Sequence, residues 1–155
     1  QSELLRLNAD TLAVEARVTP ADAPDRPGRD GQVQDGGVFA VYGVGVDDAH
    51  DTVWVTNSRQ NTVAVYRQSD LTLVRQFEPG TVNHARDVVI DEQDGKAYAS
   101  ATFQPEIVVF DTAALSVSKR IKLDSTVRGE TFSAFCGVQA LSMAARSRVR
   151  LDSAS

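Results

Sequence analysis

The chain has 155 residues, of which 42% are hydrophobic and 24% charged, and its formal charge is −5. That length holds one ordinary domain, and no apolar run reaches the about 18 residues that a membrane-spanning helix needs. The acidic balance argues against a duplex nucleic-acid binder, which normally presents a basic face.

The N-terminus Gln1-Ser2-Glu3 has neither an initiator Met nor a basic-plus-apolar leader, so a processed or excised product is expected. Cys136 stands alone and leaves no internal disulfide to form. Charge is uneven. Residues 1–124 carry 12 basic and 19 acidic groups, a balance of −7, whereas 125–155 carry 4 basic and 2 acidic, a balance of +2.

Residues 4–7 and 12–18 read as two strands around the turn Asn8-Ala9-Asp10-Thr11, whose Asn and Asp bond local backbone and tolerate left-handed conformations. Residues 19–37 hold three Pro, four Gly and four Asp, which is loop chemistry. The Asp spacing does not match a calcium loop. Long exposed loops often bind partners, so this one is a candidate.

Strands follow at 41–47, 52–57, 62–66 and 71–77. Their β-branched and aromatic content favours strand over helix. Gly43 and Gly45 suit a crowded innermost strand. A second set lies at 87–91, at 96–101 after an Asp94-Gly95 turn, at 106–111 and at 116–123. Pro105 precedes the third strand, where no ladder donor is lost.

The two sets superimpose at a constant offset of 44 residues: Asp47 on Asp91, Trp54 on Tyr98, Val63 on Ile107, Tyr66 on Phe110, Leu71 on Leu115 and Phe77 on Ile121. The first hairpin matches the second half of the first set at an offset of 59, so Leu4 falls on Val63 and Leu12 on Leu71. A repeat of this length, built from four short strands, is what one WD40-like β-propeller blade requires. The fold expected is all-β, a partial β-propeller of four-stranded antiparallel blades. Its parts are a half blade 1–18, a loop 19–37, a blade 38–78, a blade 79–123 and a non-repeat tail 125–155. Another step of 44 reaches Phe135 and Ser142, where an Asp and an aromatic should stand. The tail is irregular or helical. It packs on the last blade, is a disordered terminus, or is a non-native continuation.

Gly43-Val44-Gly45-Val46-Asp47, Trp54-Val55-Thr56-Asn57 and Asn61-Thr62-Val63-Ala64-Val65 resemble the YVTN-family β-propeller repeat, within it most the bacterial periplasmic YncE type. The second copy of the naming tetrad, Tyr98-Ala99-Ser100-Ala101, is degenerate and loses its Asn. The resemblance covers about residues 1–124. It implies a seven-bladed ring, which needs roughly 310 residues at this repeat length. It also implies a periplasmic or secreted location. Two and a half blades cannot close such a ring, so exposed apolar blade faces and self-association through them are expected.

The residues that look most chemical have plainer readings. Asp47 and Asp91 could pass for a catalytic pair, yet recurrence in every repeat suits a turn-capping role. His50 and His84 are two possible ligands in separate loops, too few for a zinc site; solvated turn residues are expected. Trp54, Tyr98, Tyr66 and Phe110 suit gap-filling between blades. The sharper alternative is a base-stacking platform beside Arg59, Arg67, Arg75 and Arg86. No nucleophile elbow, phosphate loop or metal-spaced Cys/His set is present, and no cofactor is expected.

The reading that results is a non-catalytic binding scaffold for protein or peptide partners. The candidate binding loops are Asn57, Ser58, Arg59, Gln60 and Asn61, together with Phe103, Gln104 and Glu106. The alternatives are a propeller that binds single-stranded nucleic acid and a propeller enzyme of the lactonase or dehydrogenase-subunit kind.

Overall fold

A computed structural model describes residues 3–20, 26–27, 33–34, 40–102 and 104–123. The tail 125–155 and Phe103 lie outside them. The elements are β1 (Leu4–Leu7), β2 (Val14–Val18), β3 (Arg26–Pro27), β4 (Val33–Gln34), β5 (Val41–Asp47), β6 (Thr52–Asn57), β7 (Thr62–Arg67), β8 (Leu73–Gln76), β9 (Ala85–Asp91), β10 (Lys96–Ala101), β11 (Glu106–Asp111) and β12 (Ser116–Lys122). One turn of 3-10 helix spans Asp48–His50. No helix among the described residues is long and apolar enough to cross a membrane.

Two four-stranded sheets dominate, β5-β6-β7-β8 and β9-β10-β11-β12, each an antiparallel meander. β1 and β2 form a two-stranded sheet. The expected long loop contains a small ladder, Arg26 opposite Gln34 and Pro27 opposite Val33. The architecture is all-β with blade-like open sheets, as the repeat predicts.

The strands corresponding to 12–18 and 71–77 start two residues later than expected, at Val14 and Leu73. The reason is backbone conformation. Leu12, Leu71 and Leu115 occupy one repeat position, and all three are left-handed, with φ of 58°, 59° and 48°. A left-handed leucine is disfavoured by its Cβ. The turn compensates at Leu71, whose N–H donates to the Arg67 carbonyl at 2.9 Å and whose side chain is buried.

Alternation along each strand sorts side chains to opposite sheet faces. On β6 and β7, Trp54, Val63 and Val65 face the second four-stranded sheet, joining Phe77, Val88, Ala97, Ala99, Val108 and Phe110. Val53, Val55, Ala64 and Tyr66 face the opposite way and meet Leu4 and Leu71, flanked by Ala16 and Val18. Every residue of β6 is therefore buried, which accounts for the consecutive apolar residues Val53, Trp54 and Val55 at its centre in place of apolar–polar alternation.

Contact between the two blades is closest at their inner strands. A Cβ added to Gly43 would lie 2.6 Å from Asp87 Cα, and one added to Gly45 would lie 3.0 Å from the Ile90 side chain. The glycines let β5 approach β9 backbone to backbone.

Candidate functional site

The turns after β6 and β10 and the connection from β8 to β9 lie at one end of the blades. Their residues are tied together chiefly through the backbone. Asn57 Oδ1 accepts from the N–H groups of Ala40 (3.2 Å) and Gln60 (3.3 Å). The Gln76 side-chain amide donates to Gln60 Oε1 at 3.0 Å. Asn61 has a left-handed backbone, φ 55°. Its carbonyl accepts from Gly80 and Val82, and its Oδ1 accepts from the His84 N–H at 2.8 Å.

His84 joins the two candidate loops. Its Nδ1 lies 3.0 Å from the Ser58 carbonyl. Its own carbonyl accepts from both the N–H and the hydroxyl of Thr102, at 3.2 and 2.9 Å. Further out, Arg120 donates to Glu106 Oε1 at 2.7 Å and to the Thr81 carbonyl at 2.8 Å. The edge is thus a preorganised frame. Within it Asn57, Ser58 and Gln60 are buried, Asn61 and Glu106 are half-buried, and Arg59 and Gln104 are exposed. Phe103 lies outside the described residues.

The tetrad Trp54-Val55-Thr56-Asn57 is explained residue by residue. Trp54 is fully buried between blades, with ring centroids 5.5 Å from Phe110 and 5.9 Å from Phe77, and its indole N–H donates to Thr52 Oγ1 at 3.2 Å. Val55 packs on the opposite face. Thr56 Oγ1 accepts from the Gly43 N–H at 2.7 Å and donates to the Arg86 carbonyl at 3.2 Å, joining β6 to β5 and to the next blade. Asn57 anchors the turn. In the second blade Ala101 replaces Asn57 and supplies no such oxygen. The extra Thr102 hydroxyl bond to His84 reinforces the point where Ser58 N–H to Ala40 carbonyl stands in the first blade.

The opposite end holds the repeated carboxylates. Asp91 Oδ1 accepts from the Asp94 N–H at 3.2 Å, the capping role expected of it. Asp47 departs from that role. It makes no capping bond to the 3-10 turn that follows. Its buried carboxylate instead lies 2.9 Å from His50 Nδ1, with Thr112 Oγ1 3.5 Å from the same nitrogen. Neither histidine is therefore the merely solvated turn residue expected from sequence. No sequence signal marked the partnership of His50 with Asp47, because Asp91 has no matching histidine. Among the described residues, no group of three or more His, Cys, Asp or Glu could hold a metal ion.

Burial bears on the aromatic alternative. Trp54, Tyr66 and Phe110 are enclosed and present no ring face to a base, whereas Tyr98 is half-buried. The Arg75 guanidinium lies over the Phe77 ring at 5.2 Å and that of Arg86 over Tyr42 at 4.0 Å. These cations are engaged with the blades rather than aligned along a groove.

No family model matches the chain, and no curated protein matches it. Solved structures do. Kuenenia stuttgartiensis hydrazine synthase aligns over 76% of this chain and 29% of its own, with 15% identity and a TM-score of 0.56. U3-55K aligns over 77% and 33%, with 10% identity and a TM-score of 0.56. A nidogen/laminin complex aligns over 81% and 41%, with 11% identity and a TM-score of 0.50. These likenesses support the β-propeller fold. The chain spans about a third of the length of the structures that it matches.

Proposed function

We propose that this chain belongs to a YVTN-type propeller that acts as a non-catalytic scaffold for protein or peptide partners. The partner-binding surface is the end carrying Asn57–Asn61 and Gln104–Glu106. The observation that carries this reading is the frame centred on His84. It holds two loops of adjacent blades in one geometry and leaves Arg59 and Gln104 facing solvent. A preorganised edge loses little entropy on binding a partner. One structure of the same fold is an assembly of two proteins, nidogen and laminin. The YVTN assignment, and with it a periplasmic location, rests on the repeat motifs.

The test is a peptide-library selection against the immobilised chain, counter-screened with Arg59→Glu and Gln104→Ala. Selected peptides should bind the variants at least about tenfold more weakly, the loss of one or two good polar contacts. Equal binding to both variants would move the surface elsewhere.

A further inference from the structure

Asp94-Gly95 closes the turn between β9 and β10, and its chemistry is not used up by the turn. Asp94 is exposed, and its N–H is held by Asp91 Oδ1 at 3.2 Å. Among the described residues, neither the Asp94 carboxylate nor the Gly95 N–H has a hydrogen-bond partner. Gly95 has no Cβ to shield its nitrogen and sits at φ 61°, a conformation that glycine adopts freely. A carboxyl carbon and a free backbone nitrogen one residue on are the two reactants of cyclic imide formation.

The other turn carboxylates at this end are protected. Asp70 precedes Leu71 and Asp111 precedes Thr112. The N–H groups of those two residues donate to the Arg67 and Gly95 carbonyls, at 2.9 and 3.1 Å. Their side chains also crowd the nitrogen that would have to attack.

We propose that Asp94-Gly95 is a site of spontaneous isoaspartate formation, and that the product releases the tie between Gly95 and Thr112. The Gly95 nitrogen attacks Cγ of the protonated Asp94 carboxyl. The new bond closes a succinimide, and the carboxyl hydroxyl leaves with the Gly95 N–H proton as water. Water then opens the ring. Attack at Cγ restores aspartate; attack at the main-chain carbonyl carbon routes the backbone through Cγ and gives isoaspartate. Nothing is oxidised or reduced, and one water leaves and one returns. The product lengthens the main chain by one carbon before Gly95, whose carbonyl holds the Thr112 N–H. Thr112 Oγ1 in turn lies 3.5 Å from Nδ1 of His50 in the neighbouring blade. The modification therefore loosens a contact between blades at the end away from the loop surface proposed above, and it does not depend on that surface.

The test is incubation of the full chain at physiological temperature in water enriched in heavy oxygen. Digestion in ordinary water follows, with electron-transfer mass spectrometry of the tryptic peptide 87–96. Residue 94 should gain heavy oxygen and isoaspartate with time, ahead of Asp111. Asp94→Asn should react faster, with loss of ammonia. Asp94→Glu keeps the charge but closes its larger ring slowly, and should lose the label at 94. Its circular dichroism spectrum should stay unchanged, because the replaced carboxylate holds nothing. In the aged chain the Thr112 amide should exchange hydrogen faster than in fresh chain. Labelling at 94 no faster than at Asp111, or persisting in Asp94→Glu, would overturn the proposal. Isoaspartate at 94 with Thr112 still protected would overturn the release of the tie.

Discussion

Trp54 and Phe110 meet across the gap between two blades, their ring centroids 5.5 Å apart and their planes inclined by 56°. Phe77 completes the cluster, 4.7 Å from Phe110. Trp54 and Phe110 are both fully buried and come from β6 of one blade and β11 of the next. Their packing is the main apolar bond between repeats that bury little surface alone.

Trp54→Ala and Phe110→Ala should each destabilise the chain by about 3–5 kcal/mol. Urea unfolding measures this. A double-mutant cycle should show about 0.5–1.5 kcal/mol of coupling between the rings beyond buried area. Strict additivity would mean that the rings do not share one interface.

Gly43 and Gly45 should respond unequally to alanine. The added Cβ at Gly43 meets backbone at 2.6 Å, whereas at Gly45 it meets an Ile90 side-chain carbon at 3.0 Å and a carbonyl at 3.1 Å. Backbone cannot step aside as a side chain end can. Gly43→Ala should cost about 1–3 kcal/mol by overpacking, with Gly45→Ala nearer the low end. Thermal melts of the two variants give the order, and the reverse order would contradict the close approach of β5 to β9.

Thr56→Val removes a buried hydroxyl while keeping the side-chain shape. The Gly43 N–H and the Arg86 carbonyl then each lose this bond. A buried donor left unsatisfied costs about 1–3 kcal/mol. Thr56→Ser, which keeps the hydroxyl, should recover most of that. If valine and serine variants were equally stable, the hydroxyl would not be tying the blades together.

Tyr66 sets the alkaline limit. Burial pushes its phenol up to about 12. The unfolded chain ionises this phenol near 10, so the folded state binds the proton more tightly. The resulting stability is complete below pH 10 and is lost as pH rises towards 12. Tyr66→Phe should flatten that part of the stability profile, measured by chemical denaturation between pH 9 and 12. On the acid side, the Lys96 ammonium and the Ala114 N–H hold the Asp111 carboxyl below its ordinary value, and Thr72 does the same for Asp70. Those contributions are present above the ordinary carboxylate range and are lost as pH falls through the depressed values.

The blades were legible in sequence because each strand repeats one physical task. Trp54 and Tyr98 share a strand position, Gly43 and Gly45 mark the crowded axis, and the alternation on β7 assigns Val63 and Val65 to one face and Ala64 and Tyr66 to the other. What escaped was set by local turn geometry and by contacts between blades. The left-handed turns at Leu12 and Leu71 shortened strands that composition alone extends. The bond from Asp47 to His50 has no counterpart at Asp91, so the repeat argued for a cap where the structure pairs a buried carboxylate with an exposed histidine. His84 looked like an isolated loop residue because its partners, Ser58, Asn61 and Thr102, are distant in sequence. Asn57, Ser58 and Gln60 stand among the candidate binding residues by sequence, yet they form the buried frame under Arg59.

The central claim is that residues 44 apart stack in successive blades about one axis. Nuclear Overhauser spectroscopy on the full chain tests it at Gly43 and Asp87, where backbone meets backbone. The account predicts a strong cross-peak between the α protons of Gly43 and Asp87, beside contacts between the rings of Trp54 and Phe110. Two folded sheets with neither contact would contradict it.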